Sequence, residues 1–445
     1  MTHTAVDLAG IAIEDLDRDP YPARAHVSDG ELRLEPAGPG QGAADALLLP
    51  GLVNAHDHLR SLVPPSRAGE SMSLVTAIAA ANDLQLQVEP DDYQVLTAQA
   101  AARQVRAGAT TVVDHVYPLQ RQGLLEAVVA GHRAVGIRGY VALGVMTRGK
   151  AGLCTSVQDV VDLAERAADT LLPKQQLYLA PVSLRQNEAD DYAQVARAAQ
   201  RLGLRTYTHI AELPSEVEAC VAEHGKRPIE LLYDAGFLMP GTVLVHGVVP
   251  DDREIDLIAS SGAALVYCPT NHLRFAKGFA PVVDMIDAGV PVMLGVDGME
   301  SIFHEMRQAV YAQGQARSVP GSLGSAQAFA MATRTSADVL GLPAGFDGGD
   351  CVRLDTSGPQ WHPMADPVWS VVHRGAPADV TDVVVAGRPI LRDGELVEVD
   401  QTALAHEAAD VAQRLARRAG LQVPHLWRPT AATSPSQHDQ QKELS

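Results

Sequence analysis

One structural unit recurs along the chain between residues 48 and 298: a short apolar run, a polar turn and then a helical stretch. Most of the eight apolar runs are continuous rather than alternating, which is typical of parallel strands covered on both faces. Eight such units in roughly 250 residues predict a (β/α)8 barrel, the TIM barrel. An open doubly wound sheet is the alternative, but no Gly-rich phosphate loop follows any of the runs. The predicted strands cover residues 47–56, 110–115, 138–144, 177–182, 205–212, 242–247, 264–269 and 291–298.

The two flanks of this region have a different pattern. Residues 1–46 and 345–400 contain short strands and turns but no long helix. We therefore expect a small composite β-sandwich domain, formed by both ends of the chain, beside a barrel that spans 47–344. Residues 401–427 are predicted to form a C-terminal helix. The tail at 428–445 is rich in Pro, Ser and Gln and has almost no apolar residues, so disorder is expected there.

The composition limits the classes of partner. A formal net charge of -19 repels nucleic acid and anionic membranes, and an aromatic content of 4% leaves few side chains for base stacking. No apolar run is long enough to span a membrane, and the N-terminus lacks the pattern of a signal peptide. The four cysteines lie far apart with no CxxC spacing, as in a cytoplasmic protein with reduced thiols. We expect a cytoplasmic protein that binds a small-molecule substrate and neither nucleic acid nor a membrane.

Polar side chains stand at the ends of several predicted strands. In the stretch PGLVNAHDHL, His56 and His58 are two residues apart, so both imidazoles point to the same face. The carboxyl ends of barrel strands converge on one mouth, where active sites lie. Each histidine alone is more simply explained as a core residue, but the set matches the ligands of a divalent metal such as zinc or iron. The other members of the set are His209, His246 and Asp297, at the ends of strands 5, 6 and 8, and Glu212 just after strand 5.

Several motifs carry a resemblance to a known family. The segments PGLVNAHDHL, THIAE, LVHG and LGVDG resemble the amidohydrolase superfamily, in its mononuclear cytosine-deaminase-like branch. That branch includes guanine deaminase, the adenosine-analogue deaminases and the triazine hydrolases. The similarity extends over most of residues 30–400. It implies a metal-binding barrel with a composite β-sandwich, and its members are commonly homodimers or larger homo-oligomers.

The resemblance also implies a role for each polar group. His246 would contact the bound water or the leaving side of the substrate, and Glu212 would shuttle protons. Glu212 reaches the mouth only if strand 5 ends near Ala211, and its alternative is a solvated carboxylate that caps the next helix. The region LAPVSL at the end of strand 4 lacks the lysine of binuclear relatives, which favours one divalent ion, zinc first and iron as the alternative. The implied metal ligands are His56, His58, His209 and Asp297, of which Asp297 would also accept the proton of the water.

Further residues near the predicted mouth are candidates for substrate binding, with structural or surface roles as the alternatives. The loop after strand 4 lacks the histidine that adenosine-analogue deaminases carry there, since it has Val182 and Ser183. The long polar loop at 60–73 is predicted to act as a lid. The candidates are His115, Arg185, Gln186, His272, Glu300 and His304.

Three functions are compatible with this pattern. The first is hydrolytic deamination of an aminated nitrogen heterocycle, of pyrimidine, purine or triazine type, with release of ammonia. The second is another hydrolysis at the same metal: opening of a cyclic amide, or displacement of chloride or an alkylamine from a ring. The third is a catalytically silent barrel that serves as a binding protein, because a fold by itself does not establish function.

Overall fold

The computed structural model describes residues 5–38, 45–60, 62 and 70–421. The predicted disordered tail, the last residues of the predicted C-terminal helical segment and most of the predicted lid at 60–73 lie outside the described residues.

One sheet joins the two ends of the chain, as the sequence predicted. Its order is β16-β15-β14-β13-β4-β1-β2-β3. Strand β4 pairs in parallel with β1 and antiparallel with β13, so it connects the N-terminal to the C-terminal half. Strand β15 also packs against β2, which folds the sheet back over a small apolar core. The strands are β1 Val6–Ala12, β2 Tyr21–Ser28, β3 Glu31–Pro36, β4 Ala46–Leu49, β13 Cys351–Asp355, β14 Val380–Val385, β15 Arg388–Arg392 and β16 Glu395–Leu396.

The second sheet has eight strands in parallel, in sequence order from β5 to β12. Helices cover its outside, and these eight strands with alternating helices form the predicted TIM barrel. Every residue of β5, β6, β8, β10, β11 and β12 is buried, and so is every residue of β9 after Arg205, which explains why these runs are continuously apolar. The strands are β5 Leu52–Asp57, β6 Ala109–Val116, β7 Arg138–Val145, β8 Leu177–Pro181, β9 Arg205–Ile210, β10 Val243–His246, β11 Ala264–Tyr267 and β12 Val292–Leu294.

The first predicted barrel strand, 47–56, is two strands in the structure. Its first half is β4 and belongs to the β-domain, and its second half is β5. The break falls at Pro50 and Gly51, where proline removes a ladder donor. A Cβ at Gly51 would collide with Thr110 Oγ1, so the chain crosses between the two sheets at a point where no larger residue fits. An apolar pattern alone does not reveal this change of sheet.

Fifteen helices lie within the described residues, and they connect and cover the strands. Asp251 is the N-cap residue of α8, and its side chain accepts from the backbone N–H of Glu254 at 2.9 Å. Gly203, with φ +67°, is the C-cap residue of α5. None of the helices described is long and apolar enough to cross a membrane. The helices are α1 Leu74–Gln85, α2 Pro90–Arg106, α3 Leu124–Val135, α4 Val157–Ala167, α5 Ala189–Leu202, α6 Pro214–His224, α7 Pro228–Asp234, α8 Asp252–Ser261, α9 Pro269–Arg274, α10 Val282–Asp287, α11 Ile302–Arg317, α12 Ser325–Ala332, α13 Arg334–Leu340, α14 Pro367–Arg374 and α15 Gln401–Arg418.

The barrel closes between β12 and β5, at the place where the predicted metal ligands begin. The carbonyl oxygen of His56 accepts from the backbone N–H groups of Val296 and Asp297, both at 3.0 Å. Asn54 Oδ1 accepts a second bond from the Val296 N–H at 2.9 Å. A Cβ at Gly295 would lie 2.7 Å from His56 Cβ, so the close approach requires glycine. The seam of the barrel therefore fixes His56 relative to Asp297.

Candidate metal centre

Three strand ends are turned sharply at the mouth of the barrel. Ala211, His246 and Asp297 have φ values of +49°, +81° and +49°, in the left-handed region that non-glycine residues rarely adopt. Such strained backbone persists where the surrounding structure holds it, and it is concentrated at functional sites. Here it occurs where β9, β10 and β12 end, beside the side chains that converge at the mouth.

Each of the three predicted histidine ligands is held through its Nδ1 atom. His58 Nδ1 lies 2.9 Å from the His115 carbonyl oxygen, and His209 Nδ1 lies 2.7 Å from the Val182 carbonyl oxygen. His56 Nδ1 lies 2.8 Å from the Tyr207 hydroxyl, which itself donates to the Ala55 carbonyl at 3.0 Å and is thus an acceptor toward the imidazole. All three partners accept a hydrogen bond, so each Nδ1 carries the proton. Each Nε2 atom therefore has a free lone pair.

The free Nε2 atoms converge with a carboxylate. His56 Nε2 lies 3.3 Å from His209 Nε2, and Asp297 Oδ1 lies 3.3 Å from His56 Nε2 and 3.7 Å from His58 Nε2. Possible ligand atoms of His56, His58 and His209 all lie within 4.8 Å of one another, as do those of His56, His246 and Asp297. Two lone pairs that face each other at 3.3 Å repel unless a cation lies between them. This donor set fits a divalent metal ion.

The protonation states are those that metal binding requires. Burial lowers the pKa of His58 well below its usual value and that of His209 to about 4, so both imidazoles are neutral at neutral pH. Burial would raise the pKa of Asp297, but the nearby His56 imidazole lowers it well below its usual range. The site therefore presents neutral nitrogens and an ionised carboxylate.

Glu212 faces the mouth because β9 ends one residue before the left-handed Ala211. The strand ends at Ile210, near the position that the sequence required. The Glu212 side chain is 3% exposed, so the alternative of a solvated helix cap is wrong. Its Oε1 atom lies 3.1 Å from His246 Nε2.

Two cations flank Glu212. Lys277 Nζ donates to Oε1 and Arg185 Nη2 donates to Oε2, both at 2.5 Å. Burial alone would raise the pKa of Glu212, but the charges of Lys277 and Arg185 lower it to about 2. Glu212 is therefore an ionised carboxylate in the resting site.

Glu216 holds the turn on which Glu212 stands. It accepts from the backbone N–H groups of Ala211 and Glu212 at 3.1 and 3.3 Å, and it pairs with Arg185 at 3.0 Å. Burial raises the pKa of Glu216 to about 7 despite the opposing charge of Arg185. Glu216 lies in the first turn of α6, so its side chain ties the turn at Ala211 and Glu212 to the start of that helix.

His246 is positioned by His272. His246 Nδ1 and His272 Nε2 are hydrogen-bonded at 3.1 Å, and His246 Nε2 lies 3.8 Å from Asp297 Oδ2. Burial and the charge of Lys277 lower the pKa of His246 well below its usual value and that of His272 to about 3. A neutral imidazole thus lies between the carboxylates of Glu212 and Asp297.

The remaining candidates fall into two groups. His115 joins the cluster: its ring stacks on His209 with centroids 4.8 Å apart. Gln186 instead hydrogen-bonds the Ser183 hydroxyl in its own loop. Glu300 is 79% exposed and lies 3.6 Å from His304, which also lies 3.3 Å from Gln308. The described contacts of these two residues are therefore with each other and with α11. The candidates that the structure brings to the cluster are His115, Arg185 and His272.

Sequence reasoning did not identify three residues of the site. Glu216 follows Glu212 at the spacing of one helical turn, which is a signal that could have found it. Tyr207 precedes His209 by two residues and so points to the same face of β9, again a readable signal. Lys277 lies in a turn beyond α9, and no local pattern connects it with Glu212, 65 residues earlier in the chain.

Comparison with known proteins agrees with this geometry. A curated relative, the 5-methylthioadenosine/S-adenosylhomocysteine deaminase of Halobacterium salinarum, is 30% identical over 406 residues, which cover 85% of this chain and 89% of the relative. An adenosine deaminase from Xanthomonas campestris with bound zinc has a TM-score of 0.80 and 23% identity over 94% of this chain and 99% of that chain. Atrazine chlorohydrolase from Arthrobacter aurescens, complexed with zinc, has a TM-score of 0.81 and 21% identity over 91% and 99%. These two structures share the fold.

The family model described as "Amidohydrolase family" matches residues 47–346, which include the whole histidine and carboxylate set. The curated relative matches over most of both chains. The fold, the strand-end ligand atoms and both comparisons agree, and the chain belongs to the amidohydrolase family.

Proposed function

We propose that this chain is a metal-dependent hydrolase that deaminates an aminated nitrogen heterocycle, of pyrimidine, purine or triazine type, and releases ammonia. One observation carries the proposal: unprotonated Nε2 atoms of His56, His58 and His209 converge with the Asp297 carboxylate at a barrel mouth that also holds Glu212. The similar protein from Halobacterium salinarum is named a 5-methylthioadenosine/S-adenosylhomocysteine deaminase, which supports the same reaction class.

His56, His58, His209 and Asp297 would hold one divalent ion, with zinc as the first choice and iron as the alternative, since imidazole nitrogen suits both. When bound, such an ion supplies Lewis-acid activation of water at neutral pH. The fixed Nδ1–H bonds of the three histidines orient the ligand atoms before any ion arrives.

The other side chains then move the protons. Asp297 is ionised and accepts the proton of the attacking water. Glu212 is ionised as well, because Lys277 and Arg185 stabilise its negative charge. One proton of the water would pass through Glu212 to the ring nitrogen of the substrate. The other, accepted by Asp297, would pass to the amine as the carbon–nitrogen bond breaks, so that the carbonyl product and ammonia form. His246, 3.1 Å from Glu212 and 3.8 Å from Asp297, would contact the bound water or the leaving side of the substrate.

The test is ammonia release by the metal-loaded chain across aminopyrimidines, aminopurines, adenosine analogues and aminotriazines. The adenosine analogues belong in the panel because of the curated relative, although the loop at Val182 and Ser183 lacks a histidine. We expect ammonia from at least one class, and a loss of about 100-fold or more in Asp297→Asn with the fold retained.

Three results would contradict the proposal. Full activity in Asp297→Asn would refute the proton-transfer role of that carboxylate. Silence across the panel with metal bound would refute deamination and point to ring opening or to displacement of another group, identified by mass spectrometry of the products. A chain that retains no metal after loading would instead be a binding protein.

A further inference from the structure

Lys277 is a buried cation that the proposed reaction does not by itself require. Its side chain is 0% exposed. The turn after α9 directs it inward: Ala276 has φ +51°, and the Lys277 backbone N–H donates to the His272 carbonyl at 3.0 Å. The ammonium reaches Glu212 Oε1, the same oxygen that lies 3.1 Å from His246 Nε2. Lys277 is therefore at the wall of the reaction space.

The ammonium has unused hydrogen-bond donors. An ammonium carries three N–H donors, and within the described part of the chain Glu212 is the one hydrogen-bond acceptor that Lys277 Nζ contacts. The Phe275 ring, with its centroid 5.6 Å from Nζ, offers only a cation–π contact. Burial of a cation with unpaired donors is costly. A site that binds a substrate can satisfy those donors when the substrate enters.

Glu212 does not depend on Lys277 alone for the stabilisation of its charge. Arg185, which is 24% exposed, binds the other oxygen of Glu212 at 2.5 Å and also pairs with Glu216 at 3.0 Å. Glu216 accepts from the backbone of the turn, and no contact joins it to Lys277 among the described residues. The pairing with Glu212 therefore uses one donor of the Lys277 ammonium and leaves two.

We propose that Lys277 is a specificity-determining residue that donates to a negatively polarised oxygen of the substrate, either a ring oxo group or a ring carboxylate. The inference rests on the proposed function and narrows its substrate class. The preferred substrates are then amino heterocycles that carry such an oxygen, and the matched heterocycles without it are poor substrates. Glu212 fixes the ammonium in place, and the two remaining donors select the oxygen.

The experiment compares matched pairs of compounds on the metal-loaded full chain. The oxo pairs are cytosine with the aminopyrimidine that lacks the ring oxygen, and guanine with the aminopurine that lacks it. The carboxylate pair is an aminopyrimidine carboxylate with the parent aminopyrimidine. For each compound kcat/KM is measured in the wild type, in Lys277→Met and in the charge-conserving Lys277→Arg. Lys226→Met is the control, because Lys226 is half exposed and pairs with Asp234 away from the site.

A charge-assisted hydrogen bond predicts a selective loss. In Lys277→Met, kcat/KM for the oxygen-bearing member should fall about 10- to 100-fold more than for its partner, while Lys277→Arg keeps part of the preference. The kcat/KM of each compound in a variant is divided by the kcat/KM of the same compound in the wild type, which removes differences in intrinsic reactivity between compounds. Selectivity in the oxo pairs or in the carboxylate pair tells which oxygen is recognised. An equal loss for both members of every pair would overturn the proposal and leave Lys277 as a partner of Glu212 only.

Binding measurements separate this inference from the proposed function. If the wild type releases no ammonia from any compound, deamination fails, but calorimetric binding of the same pairs still tests Lys277. Tighter wild-type binding of the oxygen-bearing member, lost in Lys277→Met, supports the inference. Equal binding of both members by the wild type overturns it. If Lys277→Met does not fold, Lys277→Gln is measured in its place, because glutamine retains a donor for Glu212.

Discussion

Removal of the Tyr207 hydroxyl group tests whether hydrogen bonds to the histidine Nδ1 atoms orient the ligands of the proposed metal site. Tyr207→Phe removes the acceptor of the His56 Nδ1–H bond, 2.8 Å long, and the donor to the Ala55 carbonyl, 3.0 Å away. The ring stays in place, since Tyr207 is fully buried and phenylalanine fills almost the same volume. His56 is then free to carry its proton on Nε2, and in that tautomer it offers no lone pair to a metal.

The expected losses of metal affinity and of unfolding free energy follow from the two lost hydrogen bonds. Loss of a hydrogen bond that orients a metal-binding histidine costs about 10- to 100-fold in metal affinity. Each of the two buried groups left without a partner costs about 1–3 kcal/mol, so the metal-free protein should lose about 2–6 kcal/mol of unfolding free energy. Both effects arise at one residue that contacts no metal.

Tyr178→Phe is the matched control. Tyr178 is also fully buried, its ring centroid lies 5.6 Å from that of Tyr207, and its hydroxyl has no hydrogen-bond partner among the described residues. Its removal should leave stability unchanged or slightly raised. Zinc affinity is measured by competition with a chelator, and stability by urea denaturation. Wild-type zinc affinity in Tyr207→Phe, or an equal loss in both variants, would refute the reasoning.

Three further perturbations follow from the structure. Burial raises the pKa of Glu216 from 4.5 to about 7, so the folded chain binds a proton there that the unfolded chain releases. Thermal stability of the metal-free protein should fall as pH rises through that interval, and Glu216→Gln should abolish this fall; an unchanged slope would contradict it. Arg138 pairs with Asp350 at 2.5 Å, and the Asp350 side chain is 9% exposed, so Arg138→Met leaves a buried carboxylate without its cation. Urea denaturation should then show a loss of about 3–5 kcal/mol of unfolding free energy, and a loss below about 1 kcal/mol would contradict a buried ion pair. Gly295→Ala places a Cβ 2.7 Å from His56 Cβ, so it should weaken zinc binding as measured by competition with a chelator. Gly348→Ala is the control, because the nearest atom to its Cβ is 3.6 Å away and zinc binding should not change.

The barrel could be predicted from local pattern because its strands are buried on both faces. Few folds other than a parallel β-sheet or barrel covered by helices can bury continuous apolar strands that alternate with amphipathic helices. The strand limits were close: residues 138–144 were predicted and β7 spans Arg138–Val145. The exception was 47–56, where one apolar run serves two sheets. Burial is equal in both, so composition gives no sign of the change.

The sequence by itself determined which side chains stand at strand ends, and therefore that His56, His58, His209 and Asp297 meet at one mouth. Parallel strands in a barrel all end on the same side, so position along the chain sets position in space. The sequence also required β9 to end before Glu212, and the left-handed Ala211 is the backbone feature that achieves this.

Only the tertiary structure decided how these groups are charged and oriented. The Nδ1 acceptors of the histidines belong to other elements of the barrel, such as the Val182 carbonyl just after β8, which lies beside His209. The state of Glu212 depends on Lys277 and Arg185, which reach it from two different loops. Desolvation and distance set these interactions, and both exist only after distant segments have packed together. The local sequence pattern therefore predicts the position of a side chain on its strand, whereas tertiary packing sets its orientation and charge.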